Sequence, residues 1–322
     1  MEKLRRIVNE IAYAQDHAKL TPIQSSLIPL LSLASSLYGI SLFLRHSFYR
    51  FGFFSKHRLP VPVISVGNLT WGGNGKTPMV EFLAHCLADS EISPLILTRG
   101  YAGGDEVRML ERHLLERPAK IGVGANRAAT AASFIEKYGY VDPRDCASSQ
   151  KNCINPKVGS HLKSGKIGAV ILDDGMQHWS LRRDLEIVMV NGLMPWGNRK
   201  LLPLGPLREP LMALKRADIA VVHHADLLGP CSVNRLDFND HHSFQARDIE
   251  MIKKKLEELE GKFNPKPIVV VTEKDYDRDP EILMHLEAYK VLVLCSKLQI
   301  IPCRGCTEDS FKLLLKELVD VK

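Results

Sequence analysis

A glycine-rich loop near residue 70 constrains the fold of this 322-residue chain more than any other feature. The apolar run at residues 61–66 leads into the loop, Lys76 and Thr77 end it, and a helical pattern follows. Glycines let backbone N–H groups turn inward around an anion, and the start of the helix adds its positive dipole end. The strict phosphate-loop pattern has glycine where Thr70 stands, but the order of elements is that of a phosphate loop. The residues predicted to bind phosphates are Gly72, Gly73, Asn74, Gly75, Lys76 and Thr77.

Short apolar runs alternate with helical stretches from residue 61 onward, which predicts an α/β fold with a mostly parallel sheet. Several runs consist almost wholly of Val, Ile and Leu, as expected for strands that helices cover on both faces. Together with the loop, this pattern indicates a P-loop NTPase-like sheet with flanking helices and a smaller C-terminal lobe. The predicted strands are residues 61–66, 94–98, 119–123, 167–172, 185–190, 219–223, 268–272 and 291–295. The predicted helices after the loop are residues 77–88, 126–138, 247–259, 280–289 and 310–319.

A second element of a phosphate site is the apolar strand at residues 167–172, which ends in Asp173 and Asp174. An isolated Asp after a strand is usually a turn residue. In a chain that also has a phosphate loop, the Walker-B arrangement is favoured, in which a carboxylate reaches Mg²⁺ at the C-terminal edge of the sheet. In this arrangement Lys76 reaches the β- and γ-phosphates and Thr77 helps to hold Mg²⁺.

Of three further polar segments, the first two leave alternatives open. Residues 99–106 fit part of a substrate or metal site, or a turn with solvated charges. Residues 240–242 are Asp-His-His, which is either structural or a general-base pair. Residues 202–210 are too rich in Pro and Gly for a helix or strand, so we predict a fixed loop that carries Arg208 and Glu209.

Charge separates the first 60 residues from the rest of the chain. The sequence has 43 Lys and Arg against 37 Asp and Glu, a net charge of +6 with neutral His. Residues 1–60 hold eight bases and three acids, so most of the excess lies there. The remainder lacks the basic surplus that phosphate backbones require, and we therefore expect no nucleic-acid partner. The hydrophobic content of 45% and charged content of 25% exclude disordered, collagen-like and polytopic membrane chains.

The seven cysteines are odd in number and widely scattered. This distribution fits a reducing compartment and does not indicate a disulfide framework. Cys303 and Cys306 form a CxxC, and without a second pair at zinc-finger spacing an incidental loop pair is favoured over zinc.

The N-terminal region is apolar first and basic afterwards. No charge occurs between Lys19 and Arg45, and residues 27–44 have the length of a membrane span. Ser32, Ser35, Ser36 and Gly39 give one helical face small side chains. Basic and aromatic residues alternate as far as residue 58, which suits a lipid headgroup zone. We favour an interfacial helix that docks on an anionic membrane surface through residues 20–58. A membrane span and a buried helix are the alternatives.

Seven motifs, in order and covering nearly the whole chain, resemble the lipid A 4′-kinase (tetraacyldisaccharide 4′-kinase) family, and its plant members most. They are residues 60–78, LTRGY at 97–101, GDE at 104–106, LDDGMQH at 172–178, LPLGPLREP at 202–210, DHH at 240–242 and VTEKD at 271–275. The resemblance implies transfer of the ATP γ-phosphate to the 4′-hydroxyl of a tetraacylated glucosamine disaccharide 1-phosphate, in lipid A biosynthesis. It also implies an N-terminal helix docked on a membrane and, from the plant members, a mitochondrial location peripheral to that membrane.

The resemblance also assigns roles to residues of this chain. ATP would bind at residues 72–77, and the Mg²⁺ site would contain Thr77, Asp173, Asp174 and Glu209. The catalytic residues would be Asp105, His241 and Lys76. The substrate would contact Arg208, Gln177 and His178. The implied domains are a membrane-associating segment at 1–58, a P-loop kinase core at 59–228 and a C-terminal lobe at 229–322.

The chain departs from the family pattern in three places. The spacing from RGY to GDE is short compared with bacterial members, and Val107 stands where Pro is usual. The stretch between His224 and Asp240 is also shorter than in the family, by about one βα unit or more. We therefore expect a shortened C-terminal lobe.

Overall fold

Six parallel strands form the central sheet, in the order β3-β2-β4-β1-β5-β6. The strands are β1 (Val63–Gly67), β2 (Pro94–Thr98), β3 (Lys120–Val123), β4 (Ala169–Asp173), β5 (Leu185–Asn191) and β6 (Ile219–His223). The four central strands are buried along nearly their whole length, as in parallel sheets covered on both faces. The predicted α/β class with a mostly parallel sheet is therefore confirmed.

The structure is a computed structural model that describes most of the chain. The described residues are 2–14, 20–72, 75–100, 105–141, 165–192, 194–223, 244–263, 266–294, 298, 300 and 307–320. The helices are α1 (Glu2–Tyr13), α2 (Pro22–Arg50), α3 (Lys76–Asp89), α4 (Asp105–His113), α5 (Arg127–Tyr138), α6 (Ala246–Phe263), α7 (Glu273–Arg278), α8 (Pro280–Met284) and α9 (Glu308–Asp320). A 3₁₀ helix covers Leu211–Arg216. Cys303, Cys306, the segment at 224–240 and the DHH motif lie outside the described residues.

Strand pairing brings the two phosphate-site elements together. β1 pairs with β4 so that Val66 lies opposite Asp173. Both strands are parallel and end at the same edge of the sheet, so the glycine-rich loop after β1 lies beside the Asp pair after β4.

The C-terminal lobe has a small sheet and core of its own. β7 (Ile268–Thr272) and β8 (Lys290–Leu294) form a parallel pair. Its core comprises Ile249, Ile252, Leu256, Leu283 and Leu286. α9, by contrast, returns to the main core, where Leu315 is buried and the Phe311 ring lies 6.0 Å from that of Phe82 on α3. The predicted boundary at residue 229 stays a prediction.

Two predicted segments differ from the structure. The helix predicted at 280–289 ends at Met284, and the chain continues in turns up to Tyr289. Leu283 and Leu286 are both buried, and their spacing of three suits tight turns as well as an α-helix. The second segment is residues 99–106, which a turn with solvated charges could explain. Its acids, Asp105 and Glu106, are instead the first two residues of helix α4, so the turn interpretation is wrong for them. The helix was missed because Asp105–His113 is mostly charged.

The N-terminal helices pack on the body of the protein along one side. In α1, Ile11 and Ala12 are fully buried. In α2, the Ser35 hydroxyl donates to the Leu201 carbonyl at 2.9 Å and the Tyr38 hydroxyl to the Arg208 carbonyl at 2.8 Å. Of the four predicted small residues, Ser35 and Gly39 lie on this contact side, whereas Ser32 and Ser36 are exposed.

The other side of α2 is apolar and exposed. Its exposed large side chains are Ile23, Leu30, Leu33, Leu37, Ile40, Phe43, Leu44 and Phe48. Only Gln24 and Leu42 of this helix are buried, so the buried-helix alternative is wrong. By length and composition α2 could also cross a membrane.

Candidate active site

Glycines at two close approaches shape the start of the site. Gly75 has a φ of 72° and caps α3, and an added Cβ would lie 2.8 Å from the His223 ring. At the end of β1, a Cβ on Gly67 would lie 2.7 Å from the Met176 backbone nitrogen. The loop therefore needs glycine at both positions to pass β6 and the turn after β4. Gly73 and Asn74 lie outside the described residues.

Two cationic side chains meet at Asp174. Arg208 donates to both carboxylate oxygens, each at 2.8 Å, and also bonds the side-chain oxygen of Asn68. The Lys76 ammonium lies 3.7 Å from Asp174 Oδ1 and donates to Asn68 at 3.4 Å. Burial opposes ionisation of Asp174, but Arg208 and Lys76 outweigh it and hold the pKa of this carboxyl below its ordinary value. Asp174 also has a φ of 50°, the kind of backbone strain found at functional sites.

Asp173 has the opposite environment. The residue is 2% exposed, and its Oδ1 has no hydrogen-bond partner among the described residues. Burial first, and the nearby Glu106 carboxylate second, raise the pKa of Asp173 to about 6. A buried carboxylate oxygen without a donor is the kind of ligand that a hard divalent cation accepts.

Glu106 connects this acid to the phosphate loop. The Thr77 hydroxyl donates to Glu106 Oε1 at 3.4 Å, and the Lys274 ammonium donates to the same oxygen at 2.5 Å. The sequence places Glu106 in a segment that fits part of a substrate or metal site, and Lys274 in the VTEKD motif, but it does not predict their contact. The GDE and VTEKD motifs mark the two residues, whereas nothing local indicates that they pair across 168 residues.

These residues fit Mg²⁺ as a partly hydrated ion. Thr77, Glu106 and Asp173 supply only oxygen donors, and Mg²⁺ usually keeps several waters and substrate phosphates in its shell. Within the described parts of the chain, no group of three or more His, Cys, Asp or Glu side chains could hold a metal alone. Of the four residues predicted for this role, Thr77 and Asp173 both lie near Glu106, whereas Asp174 is engaged by Arg208.

Glu209, the fourth predicted metal residue, bonds Arg216 and lies near His46 of helix α2. Glu209 is 1% exposed, and Arg216 donates to its Oε2 at 2.7 Å. His46 Nε2 lies 3.6 Å from the same oxygen. The His46 ring stacks on Trp179 with 4.3 Å between centroids, and the Arg216 guanidinium lies over the same ring at 4.5 Å. Glu209 thus helps to fix α2 against the loop that carries Arg208.

The turn after Asp174 carries the two remaining predicted substrate residues. Gln177 donates to the Asn68 carbonyl at 3.0 Å and accepts from Arg45 at its own carbonyl. Arg183 donates to the carbonyls of Gly175 and His178, each at 2.6 Å. Gln177 and His178 are therefore held on a rigid turn between the phosphate loop and α2.

His178 should make the protein acid-sensitive. Burial first, and the neighbouring Arg127 and Arg183 second, lower the pKa of His178 to about 4 from an ordinary value near 6.5. Between these values the unfolded chain takes up a proton at His178 that the folded protein refuses, so the contribution of His178 to stability falls as pH drops from 6.5 to 4. In His178→Gln this contribution is absent, so the slope of the unfolding free energy against pH should differ from that of the wild type by the equivalent of up to about one bound proton. Urea midpoints across this range measure it. An equal effect of His285→Gln, at an exposed histidine, would contradict the assignment.

The predicted catalytic pair is described in part. Asp105 is the first residue of α4, directly before Glu106. His241 lies outside the described residues.

Comparison with known proteins matches this chain to one kinase family. The sequence model of the family described as tetraacyldisaccharide-1-P 4′-kinase matches residues 27–231. A protein of Arabidopsis thaliana named "Probable tetraacyldisaccharide 4′-kinase, mitochondrial" is 50% identical, and the match covers 100% of this chain and 99% of that protein. Tetraacyldisaccharide 4′-kinases of Shewanella sp. (strain W3-18-1) and Syntrophus aciditrophicus are 34% and 39% identical, over 73% and 60% of this chain.

The coverage of these relatives differs. The chain spans 66% of the Shewanella protein and 50% of the Syntrophus protein. The Arabidopsis alignment runs over 392 positions, more than the 322 residues of this chain, so the relative has residues that this chain lacks. A crystal structure of LpxK from Aquifex aeolicus in complex with ATP is 25% identical, covers 92% of this chain and 90% of that one, and has a TM-score of 0.48.

Proposed function

Because the chain belongs to the tetraacyldisaccharide-1-P 4′-kinase family, we propose that it phosphorylates the 4′-hydroxyl of tetraacyldisaccharide 1-phosphate with ATP. The observation that carries the proposal is the meeting of Lys76, Thr77 and Asp173 at one edge of the parallel sheet, in a chain with this family match. The activity belongs to lipid A biosynthesis.

ATP would bind with its phosphates on the loop at residues 72–77. Lys76 would contact the β- and γ-phosphates, and Arg208, which shares Asp174 with Lys76, would face the transferring or substrate phosphate. Thr77, Glu106 and Asp173 would hold Mg²⁺, which when bound neutralises charge on the phosphate oxygens. The family motif also implies Asp174 and Glu209 at the Mg²⁺ site. They would act there by holding Arg208 and Arg216 in place.

Asp105 and His241 would form the pair that accepts the proton of the 4′-hydroxyl. The hydroxyl oxygen attacks the γ-phosphorus, the bond to the β–γ bridging oxygen breaks, and ADP leaves with that electron pair. A sugar hydroxyl has a pKa far above neutral, so a carboxylate–imidazole pair lowers the barrier by taking its proton as the new bond forms. Supporting this role, Asp105 opens α4 next to Glu106, whose side chain contacts Thr77. Gln177 and His178 would contact the sugar.

The test is transfer of label from γ-labelled ATP to tetraacyldisaccharide 1-phosphate in mixed micelles. We expect a labelled bisphosphorylated lipid. ATP hydrolysis without labelled lipid would contradict the proposal and favour a membrane-docked nucleotide switch. Absence of ATP binding would favour an inactive protein, for which the residues missing relative to the Arabidopsis protein give a physical reason.

The lipid would be reached through the N-terminal helix. One side of α2 contacts the protein, and the other presents a row of exposed Leu and Ile side chains. Exposed Arg50 and Arg58 flank Phe51 and Phe53, a combination suited to an anionic headgroup zone. The protein would therefore dock on an anionic membrane surface through residues 20–58. The name of the Arabidopsis relative supports a mitochondrial location.

A polar substitution of the exposed row tests this docking. Leu33, Leu37 and Ile40 are 61%, 60% and 56% exposed, so replacing all three by Asn should leave the fold intact. Since burying one such side chain is worth about 1.5–3 kcal/mol, we expect at least a tenfold loss of binding to anionic vesicles in flotation. The matched control is Leu313→Asn with Leu314→Asn, two exposed leucines on α9. An equal loss in the control, or no loss in the triple variant, would rule out α2 as the docking face.

A further inference from the structure

The C-terminal lobe holds helix α4 through several ion pairs. Arg112 of α4 donates to Glu273 at 2.9 Å and to Asp277 at 3.0 Å, and His113 Nε2 lies 2.9 Å from Glu273. At the other end of α4, Lys274 bonds Glu106 at 2.5 Å. The side chains of Lys274 and Glu106 are 30% and 20% exposed, so this pair is more shielded than a typical surface pair.

The Lys274–Glu106 pair differs from the others because it continues into the phosphate site. Glu106 Oε1 accepts from both the Lys274 ammonium and the Thr77 hydroxyl, so a single oxygen atom separates the C-terminal lobe from the phosphate loop. The buried carboxyl of Asp173 also lies close enough to Glu106 for their charges to interact.

Two neighbouring carboxylates repel each other, and a glutamate side chain has three rotatable bonds with which to move away. Glu106 therefore needs a fixed positive partner to remain beside Thr77 and Asp173. Lys274 bonds the Glu106 carboxylate directly. The backbone of Lys274 is anchored at the start of α7, where the Thr272 hydroxyl caps the helix by accepting from the Asp275 backbone N–H. Among the described residues, the cation recorded on this oxygen comes from the lobe.

We propose that Lys274 is a positioning residue, which fixes Glu106 beside Thr77 and Asp173 and so makes the divalent-cation affinity of the nucleotide site depend on the C-terminal lobe. The inference deepens the proposed function and rests on it for the identity of the site. It predicts a direction. If Lys274 only competed with the cation for Glu106, its removal would tighten cation binding. If it positions Glu106, its removal weakens cation binding.

The experiment measures Mn²⁺ binding to the full chain through the electron paramagnetic resonance signal of free Mn²⁺. ATP is kept at or below the protein concentration, because free nucleotide would itself bind the ion. We expect Lys274→Met, which keeps the apolar stem, to raise the Mn²⁺ dissociation constant about 10–100-fold, as one lost ligand-orienting contact does in other metal sites. Lys274→Arg should restore most of the affinity. Glu106→Gln should show the same loss, and adding Lys274→Met to it should have no further effect.

Arg112→Met is the matched control, because it breaks pairs between α4 and α7 but leaves the Lys274–Glu106 pair. A similar loss in this control would show a general role of the interface and overturn the proposal, as would unchanged or tighter Mn²⁺ binding in Lys274→Met. If Lys274→Met does not fold, Glu106→Gln with Lys274→Arg tests the same oxygen. Mn²⁺ binding needs no lipid, so a protein that binds Mn²⁺–ATP but labels no lipid would contradict the proposed function alone.

Discussion

Lys76→Ala is expected to lower the rate of lipid phosphorylation about 10²–10³-fold, the usual effect of removing one charge-stabilising group from a transferring phosphate. The Lys76 ammonium lies at the C-terminal edge of the sheet, between Asn68 and Asp174, where the γ-phosphate would be. Loss of this charge should not unfold the site, because Arg208 still bonds Asp174 through two hydrogen bonds.

The measurement is the rate of label transfer to lipid, with a denaturation midpoint to confirm folding. Lys254→Ala on α6 is the matched control, since Lys254 is exposed and lies in the C-terminal lobe. It should retain full activity. A Lys76→Ala protein with more than a tenth of the wild-type rate would mean that Arg208 alone supplies the charge at the phosphate, and that the loop has been assigned the wrong role.

Arg183→Met should destabilise the fold by about 3–5 kcal/mol, the cost of removing one partner from a buried ion pair. The side chains of Arg183 and its partner Glu186 are 13% and 4% exposed, and Glu186 also accepts from the Ser65 hydroxyl at 2.7 Å. The substitution leaves a buried carboxylate without its cation. It also leaves the carbonyls of Gly175 and His178 without a donor that they now share.

Urea unfolding at neutral pH measures this effect. Arg182→Met, at the exposed neighbour, should stay within about 0.5 kcal/mol of wild type. Adding Glu186→Leu to Arg183→Met should recover part of the loss, because the stranded charge is then gone. If Arg183→Met cost less than about 1 kcal/mol, the ion pair would not be what holds this turn.

The central sheet was predictable because its signal is local. Residues 94–98 and 219–223 of this sheet, and residues 268–272 of the small C-terminal sheet, are strands with the predicted bounds, since each is a short apolar run bounded by polar or turn-forming residues. The pairing of β1 with β4 also follows from general rules for phosphate-binding sheets, so the approach of Asp173 to Thr77 could be anticipated.

Charged segments were predicted less well, because their structure depends on distant partners. The apolar pattern of α4 is weak, and its ends are held by Thr77, Glu273 and Lys274, which come from two other parts of the chain. The sequence motif grouped Asp174 and Glu209 as metal ligands, which stays a prediction, and it did not indicate that their side chains bond Arg208 and Arg216. Nothing in the local sequence distinguishes a carboxylate that bonds arginine from one that is left for a cation.

The packing of α9 on α3 affects how the protein folds during synthesis. α3 begins with Lys76 and Thr77, yet its outer face around Phe82 is covered by Phe311 and Leu315, which are translated more than 200 residues later. Helix α3 therefore leaves the ribosome with an uncovered apolar surface, and such a surface is prone to aggregation until its partner arrives. If translation ends before residue 308, the chain should contain β1, the glycine-rich loop and α3 but lack the side chains that complete the main core.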